Sequence, residues 1–189
     1  GGGWWVGGAG GGGAAGGEGQ QKKYGDAYKL FNALSLDGDS IAVKSFYWKG
    51  EAKRYAGNEK EALIIYEDFL KKYSKSDLTS SALYQIGVIH YSNGNYEKAS
   101  AALVKGVTTK DNDVRGKTLT MLGEIELQKK RYQPALKYFN QVKENEIEDQ
   151  LLVFRGLLGK GTALYYLNKY DDAITVLSDI DFRAPNFES

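Results

Sequence analysis

Leu83 to Leu103 reads LYQIGVIHYSNGNYEKASAAL, two helical patterns joined at Ser92-Asn93-Gly94-Asn95. Before the joint, Leu83, Ile86, Ile89 and His90 fall three and four apart. After it, Tyr96, Ala99, Ala102 and Leu103 repeat that spacing, which marks one face of a helix. Each arm carries a small residue, Gly87 on the first and Ala99 on the second, as two helices need where their backbones approach closely. The stretch predicts a helix hairpin.

The hairpin recurs. Ala27, Ala62, Ala99, Ala135 and Ala173 stand 35, 37, 36 and 38 residues apart. Twelve residues before the last four lie Gly50, Gly87, Gly123 and Gly161. Three before each alanine is Tyr24, Glu59, Tyr96, Tyr132 or Tyr170. Four after it is Phe31, Tyr66, Leu103, Phe139 or Leu177. A period of this length is the signature of a repeat array. Gly and Ala allow close helix packing, the tyrosine packs its ring and keeps its hydroxyl near water, and the large residue fills the space between pairs. Each pair buries only part of its apolar surface, so pairs must stack. The predicted pairs are 40–56 with 59–73, 77–93 with 96–109, 113–129 with 132–144, and 148–167 with 170–180. A single helix, 20–36, leads them. Asp37-Gly38-Asp39-Ser40 lacks the ligand spacing of a calcium loop and reads as a turn with an N-cap at Asp39 or Ser40.

The fold class is therefore all-α: an α-solenoid of stacked helix hairpins, with four full repeats plus one leading helix. Residues 20–189 form this domain. Residues 1–19 are read as a disordered Gly-rich leader or linker, since Gly1–Gly17 is mostly glycine, which disfavours helix. The sharper alternative is the end of a membrane anchor, with Trp4 and Trp5 at the interface. The last predicted helix carries Ile174, Val176, Leu177 and Ile180. It is apolar for an outermost helix, so more chain, a second copy in an oligomer or another partner is expected to cover it.

Composition bounds the function. The 189 residues include 25 basic and 24 acidic ones, a net charge of +1. This balance lacks the basic excess of a nucleic-acid or acidic-membrane binder. The chain has no cysteine, which excludes disulfides, zinc ribbons and thiol nucleophiles. His90, the single histidine, lies on a buried stripe with no second histidine or cysteine to complete a metal or catalytic set. Gly156-Leu157-Leu158-Gly159-Lys160-Gly161-Thr162 lacks phosphate-loop spacing and lies inside a helix, so these are packing glycines. Asp171-Asp172 and Glu144-Asn145-Glu146 are helix-start or turn carboxylates. No catalytic residue, metal ligand or cofactor is expected.

The registered Gly-Tyr-Ala-large pattern resembles the tetratricopeptide repeat (TPR) family over Gln20–Ser189, with Pro185 twelve after Ala173 as that family often has. SFYWKGEAKRYAGNEKEALIIYEDFLKKYSKSD (45–77) and SSALYQIGVIHYSNGNYEKASAAL (80–103) look most like bacterial envelope members of the BamD/YbgF type. The resemblance implies a right-handed solenoid that scaffolds protein assemblies, with the first helix of each pair lining a concave groove. In that register the exposed concave positions carry Lys44, Tyr47, Glu51, Arg54 and Tyr55; Ser81, Tyr84, Val88, Tyr91 and Ser92; Lys117, Thr120, Glu124, Leu127 and Gln128; and Arg155, Leu158, Thr162, Tyr165 and Tyr166. Tyrosines and basic residues there suit an extended or helical peptide. The same tyrosines equally suit packing between neighbouring helices, and both readings stand at this point. Carboxylate-clamp members place Asn where this chain has Trp48, Gln85, Met121 and Gly159, so that ligand class is not implied.

The expected function is a non-catalytic scaffold or adaptor in a multi-subunit assembly, set by the resemblance in the periplasm or cell envelope, with the cytoplasm as alternative. Partners are proteins, bound through the groove and the apolar terminal helix. No nucleic acid is expected, and a membrane only indirectly or through an upstream anchor. The alternative is a structural subunit that stacks through its ends into a ring or larger machine. An enzyme would need the nucleophiles and metal ligands that the chain lacks.

Overall fold

The computed structural model describes residues 14–34 and 40–183, with side chains at 19–34 and 40–180. The regular elements among them are all helical. α1 is Ala14–Leu34, α2 Ser40–Tyr55, α3 Glu59–Lys72, α4 Thr79–Ser92, α5 Tyr96–Gly106, α6 Asn112–Gln128, α7 Tyr132–Phe139, α8 Gln150–Tyr166 and α9 Tyr170–Arg183, with a short 3-10 turn at Glu144–Glu146. Packing divides the chain into two compact units between Asn95 and Tyr96. The sequence reading treats 20–189 as one domain; the division falls at the turn of the stretch quoted first, whose arms belong to different units.

Most helix ends lie within three residues of expectation. α1 starts six residues early, inside the Gly-rich tract, while residues 1–13 and the expected cap Asp39 lie outside the described residues. α7 ends at Phe139 instead of 144. The amides of Gln141 and Val142 donate back only three residues, to Tyr138 and Phe139, a tightening that closes helices. The chain then places Ile147, buried, against Gly116 of α6, where a β-carbon would come within 2.6 Å of its methyl. Asp111 and Asp149 cap α6 and α8: their carboxylates accept from the Val114 amide, and from those of Leu151 and Leu152.

Within each unit the hairpins close as the repeat pattern requires. A β-carbon on Gly50 would lie 2.7 Å from the Tyr66 ring; on Gly123, 2.6 Å from Phe139; on Gly161, 2.6 Å from Leu177. Thus the glycine and the large residue sixteen later are two halves of one contact. Gly159 of α8 also faces Phe139, whose ring sits between glycines of two successive first helices.

The turns repeat too. Seven residues after each repeat glycine the backbone is left-handed, at Gly57 (φ 77°), Gly94 (71°), Lys130 (56°) and Asn168 (59°). The next amide, of Asn58, Asn95, Arg131 or Lys169, donates to the carbonyl five residues back, the closing bond of a Schellman cap. Sequence reading identified Asn93-Gly94 as a joint but missed this recurrence. Gly57 and Gly94, both seven on, were the available signal; Lys130 and Asn168 hid it.

Candidate protein-binding site

In the first unit, α2 does not present its side chains as a simple groove lining. Tyr47, expected to be exposed, is only 7% exposed. It lies three residues from Gly50 and so shares the closely packed face. Its ring meets Tyr66 and Phe69 of α3 at 5.9 and 6.1 Å. Glu51, also expected on the surface, is 4% exposed. Tyr66 Oη donates to Glu51 Oε1 at 2.5 Å and Arg54 Nη2 to Glu51 Oε2 at 3.0 Å. Burial, then the Glu51 carboxylate, push the Tyr47 and Tyr66 phenols above their ordinary range. Burial by itself would lower the pKa of Arg54, but Glu51 beside it raises it. This buried charge pair, in which Arg54 bonds Glu51 through Nη2 while its buried Nε has no hydrogen-bond partner, is a structural core that sequence reading placed on the surface.

Arg54 is half-buried and Tyr55 exposed, with the Arg54 guanidinium 4.2 Å over the Tyr55 ring. Tyr24 of α1 also stacks on Tyr55, with ring centroids 5.8 Å apart. Lys44 is exposed and lines a separate 520 Å³ cleft against Lys72, Lys75 and the α3–α4 connection. On α4, Tyr84, Val88 and Tyr91 are half-buried, as is His90.

In the second unit Thr120 is fully buried, a correction of the same kind as Tyr47, with which it shares register. Lys117 and Leu127 are half-buried, and Leu127 packs on the core of Ala135, Leu136 and Phe139. Arg155 is exposed but engaged: Nε and Nη2 both donate to the Glu124 carboxylate at 2.5 Å. Tyr165 and Tyr166 are exposed and meet edge to face at 5.4 Å. Tyr166 also stacks on Tyr132 of α7 at 4.6 Å. The two readings of the tyrosines therefore divide by position. Tyr47 packs, Tyr55 and Tyr166 both pack and face outward, and Tyr165 faces outward.

Among the described residues no group of acidic, histidine or cysteine side chains has the geometry of a metal site. No helix among them is long and apolar enough to cross a membrane.

Sequence profiles described as "Tetratricopeptide repeat" match residues 44–76, 80–113 and 116–146, together just over half of the chain. No curated protein matches in sequence. Among solved structures, a MamA protein is similar over 92% of each chain, with 16% identity and a TM-score of 0.65. PilF of Pseudomonas aeruginosa is similar over 87% of this chain and 78% of its own, with 19% identity and a TM-score of 0.65. A putative kinesin light chain of Podosopora anserina with nearly identical TPR-like repeats is similar over 89% of this chain and 91% of its own, at 13% identity and 0.64. At these identities the likeness is one of fold. The matches bear out the tetratricopeptide resemblance and the all-helical repeat fold; they give the BamD/YbgF type no support.

Proposed function

Because this chain belongs to the tetratricopeptide repeat family, we propose that it is a non-catalytic scaffold or adaptor holding other proteins in a multi-subunit assembly. Proteins of this family generally act through protein–protein interaction. The observation that carries the reading is the outward surface left on first-helix tyrosines: Tyr55, Tyr165 and Tyr166 are all more than half exposed. Tyrosine offers large contact area with few rotatable bonds. Lys44, Arg54, Tyr84, Val88 and Tyr91 complete the proposed surface of the first unit, and Lys117, Leu127 and Arg155 that of the second; Tyr47 leaves it.

The proposed setting is the bacterial cell envelope, on the sequence resemblance of residues 45–77 and 80–103 alone. Pull-down from a membrane fraction recovers envelope proteins on this reading; recovery of cytosolic partners alone would move the setting to the cytoplasm. Tyr84→Ala combined with Tyr91→Ala weakens partner binding without loss of helical circular dichroism. Full-strength binding by that double variant would remove α4 from the surface.

A further inference from the structure

The first unit holds a 520 Å³ cleft apart from its exposed tyrosines. The start of α2 forms one wall, with Val43 and Lys44; the end of α3 and the connection to α4 form the other, with Lys72, Tyr73, Lys75 and Leu78. The second wall is fixed. Tyr73 packs its ring on Phe46 and Phe69, with centroids 5.8 and 5.4 Å away. The Tyr73 carbonyl accepts from the Ser76 amide and the Thr79 hydroxyl. The Leu78 amide donates to Ser76 Oγ at 3.2 Å. These bonds pin the connection to the two helix ends that it joins.

The charge in the cleft is one-sided. Three lysines, Lys44, Lys72 and Lys75, line it against a single acid, Asp77. Lys71 next to them pairs with Asp68 at 3.2 Å, but among the described residues none of the three has a carboxylate within ion-pair distance. Lys72 Nζ lies instead 5.2 Å from the ring centroid of Tyr73 and 5.7 Å from that of Phe46. Burial first, and the charge of Lys72, lower the pKa of Lys49, with Asp68 opposing them. The helix dipole accounts for Lys71 and Lys72, which stand in the last turn of α3. It does not account for Lys75, in the connection, or Lys44, in α2. Beside these lysines the starts of α2 and α4 present the positive ends of their own dipoles.

We propose that this cleft binds an acidic segment of a partner protein, with side-chain carboxylates on Lys44, Lys72 and Lys75 and an apolar side chain against Val43, Leu78 and the Tyr73 ring. A cleft lined by one sign of charge concentrates the opposite sign, and lysine meets a carboxylate as a compact point charge on a flexible stem. The apolar wall gives a peptide contact area that a small inorganic anion cannot use. The site rests on the reading of the chain as an interaction module and gives that module a partner chemistry.

The probe is a labelled peptide of repeated Glu-Leu-Glu. Added to the full chain, it should raise fluorescence anisotropy with saturation, and the Gln-Leu-Gln peptide should not. Lys72→Gln with Lys75→Gln should weaken binding about tenfold, as loss of two exposed ion pairs can, at unchanged melting temperature. Lys98→Gln with Lys105→Gln, two exposed lysines of the second unit, should leave binding unchanged. Lys72→Glu with Lys75→Glu should take up the Lys-Leu-Lys peptide instead. Absence of saturable binding overturns the site, as does an equal loss from both lysine pairs, which would reduce the effect to net charge. Displacement of the peptide by inorganic phosphate at constant ionic strength would make it a phosphate site and overturn the assignment. Asp37→Asn with Asp39→Asn should leave affinity as it is; a marked rise would make the chain's own acids the occupant. Self-association of the chain that Lys72→Gln with Lys75→Gln abolishes would make a second copy the occupant, with the same consequence. Tyr84→Ala with Tyr91→Ala should bind the probe as the parent does, so failure of the cleft is separable from failure of the tyrosine surface.

Discussion

The Tyr66 hydroxyl of α3 donates to the Glu51 carboxylate of α2 at 2.5 Å, joining the two helices of a hairpin through a buried acid. With Arg54 on the other oxygen, the charge of Glu51 is both paired and solvated by the protein. A buried group stripped of one partner costs about 1–3 kcal/mol. Tyr66→Phe should therefore lower stability by about that amount in urea unfolding, with helical content unchanged. Equal midpoints for the two proteins would mean that the hydroxyl contributes nothing.

The same contact sets a pH dependence. Tyr66 and Tyr47 hold their protons more tightly in the folded chain than an ordinary phenol does. Their contribution is complete below the ordinary phenol pKa of about 10. Above it the unfolded chain releases protons that the folded chain keeps, so stability falls by about 1.4 kcal/mol per pH unit for each such group. Unfolding free energies measured from pH 9 to 11 should drop steeply, and less steeply in Tyr66→Phe. A flat profile in the parent protein would contradict the burial of these phenols.

At Gly123 a methyl group would press into the ring of Phe139, and overpacking of a core costs about 1–3 kcal/mol. Gly123→Ala should lose stability despite alanine's better helix propensity. The loss should shrink when Phe139→Leu is added, because the two sites share one space. Additive losses in calorimetry would show that glycine and ring do not compete.

Lys130 stands where the repeat turn needs a left-handed residue, the position glycine fills in two other turns. A residue with a β-carbon is strained there by about 1–2 kcal/mol. Lys130→Gly should raise the melting temperature even though glycine loosens the unfolded chain. Gly57→Ala should lower it. Opposite signs at two equivalent positions would be hard to obtain from any cause other than backbone conformation.

The fold was legible because its information is local and repeated. A glycine and a large residue sixteen apart need no knowledge of the rest of the chain to be recognised as two sides of one hairpin. The surface was less legible because exposure depends on the neighbouring repeat. Tyr47, Thr120 and Leu158 hold the same register position, yet the first two are buried and the third is open. Helical periodicity assigns all three one direction and says nothing about whether another helix follows. The Glu51 core was missed for a related reason: a glutamate beside a repeat glycine reads as surface until its partners, Tyr66 fifteen residues away and Arg54 on the same helix, are seen to converge on it.

Within each hairpin the distances from glycine to left-handed turn, to alanine and to large residue are seven, twelve and sixteen in all four copies, while the spacing between copies varies from 36 to 38. Rigidity and length are thus handled by different parts of the chain. The hairpins behave as parts of fixed gauge, and the connections between them absorb every change of measure. An insertion of one residue inside a hairpin would move a large side chain off its glycine; the same insertion in the segment between α5 and α6 would leave each hairpin's register as it was.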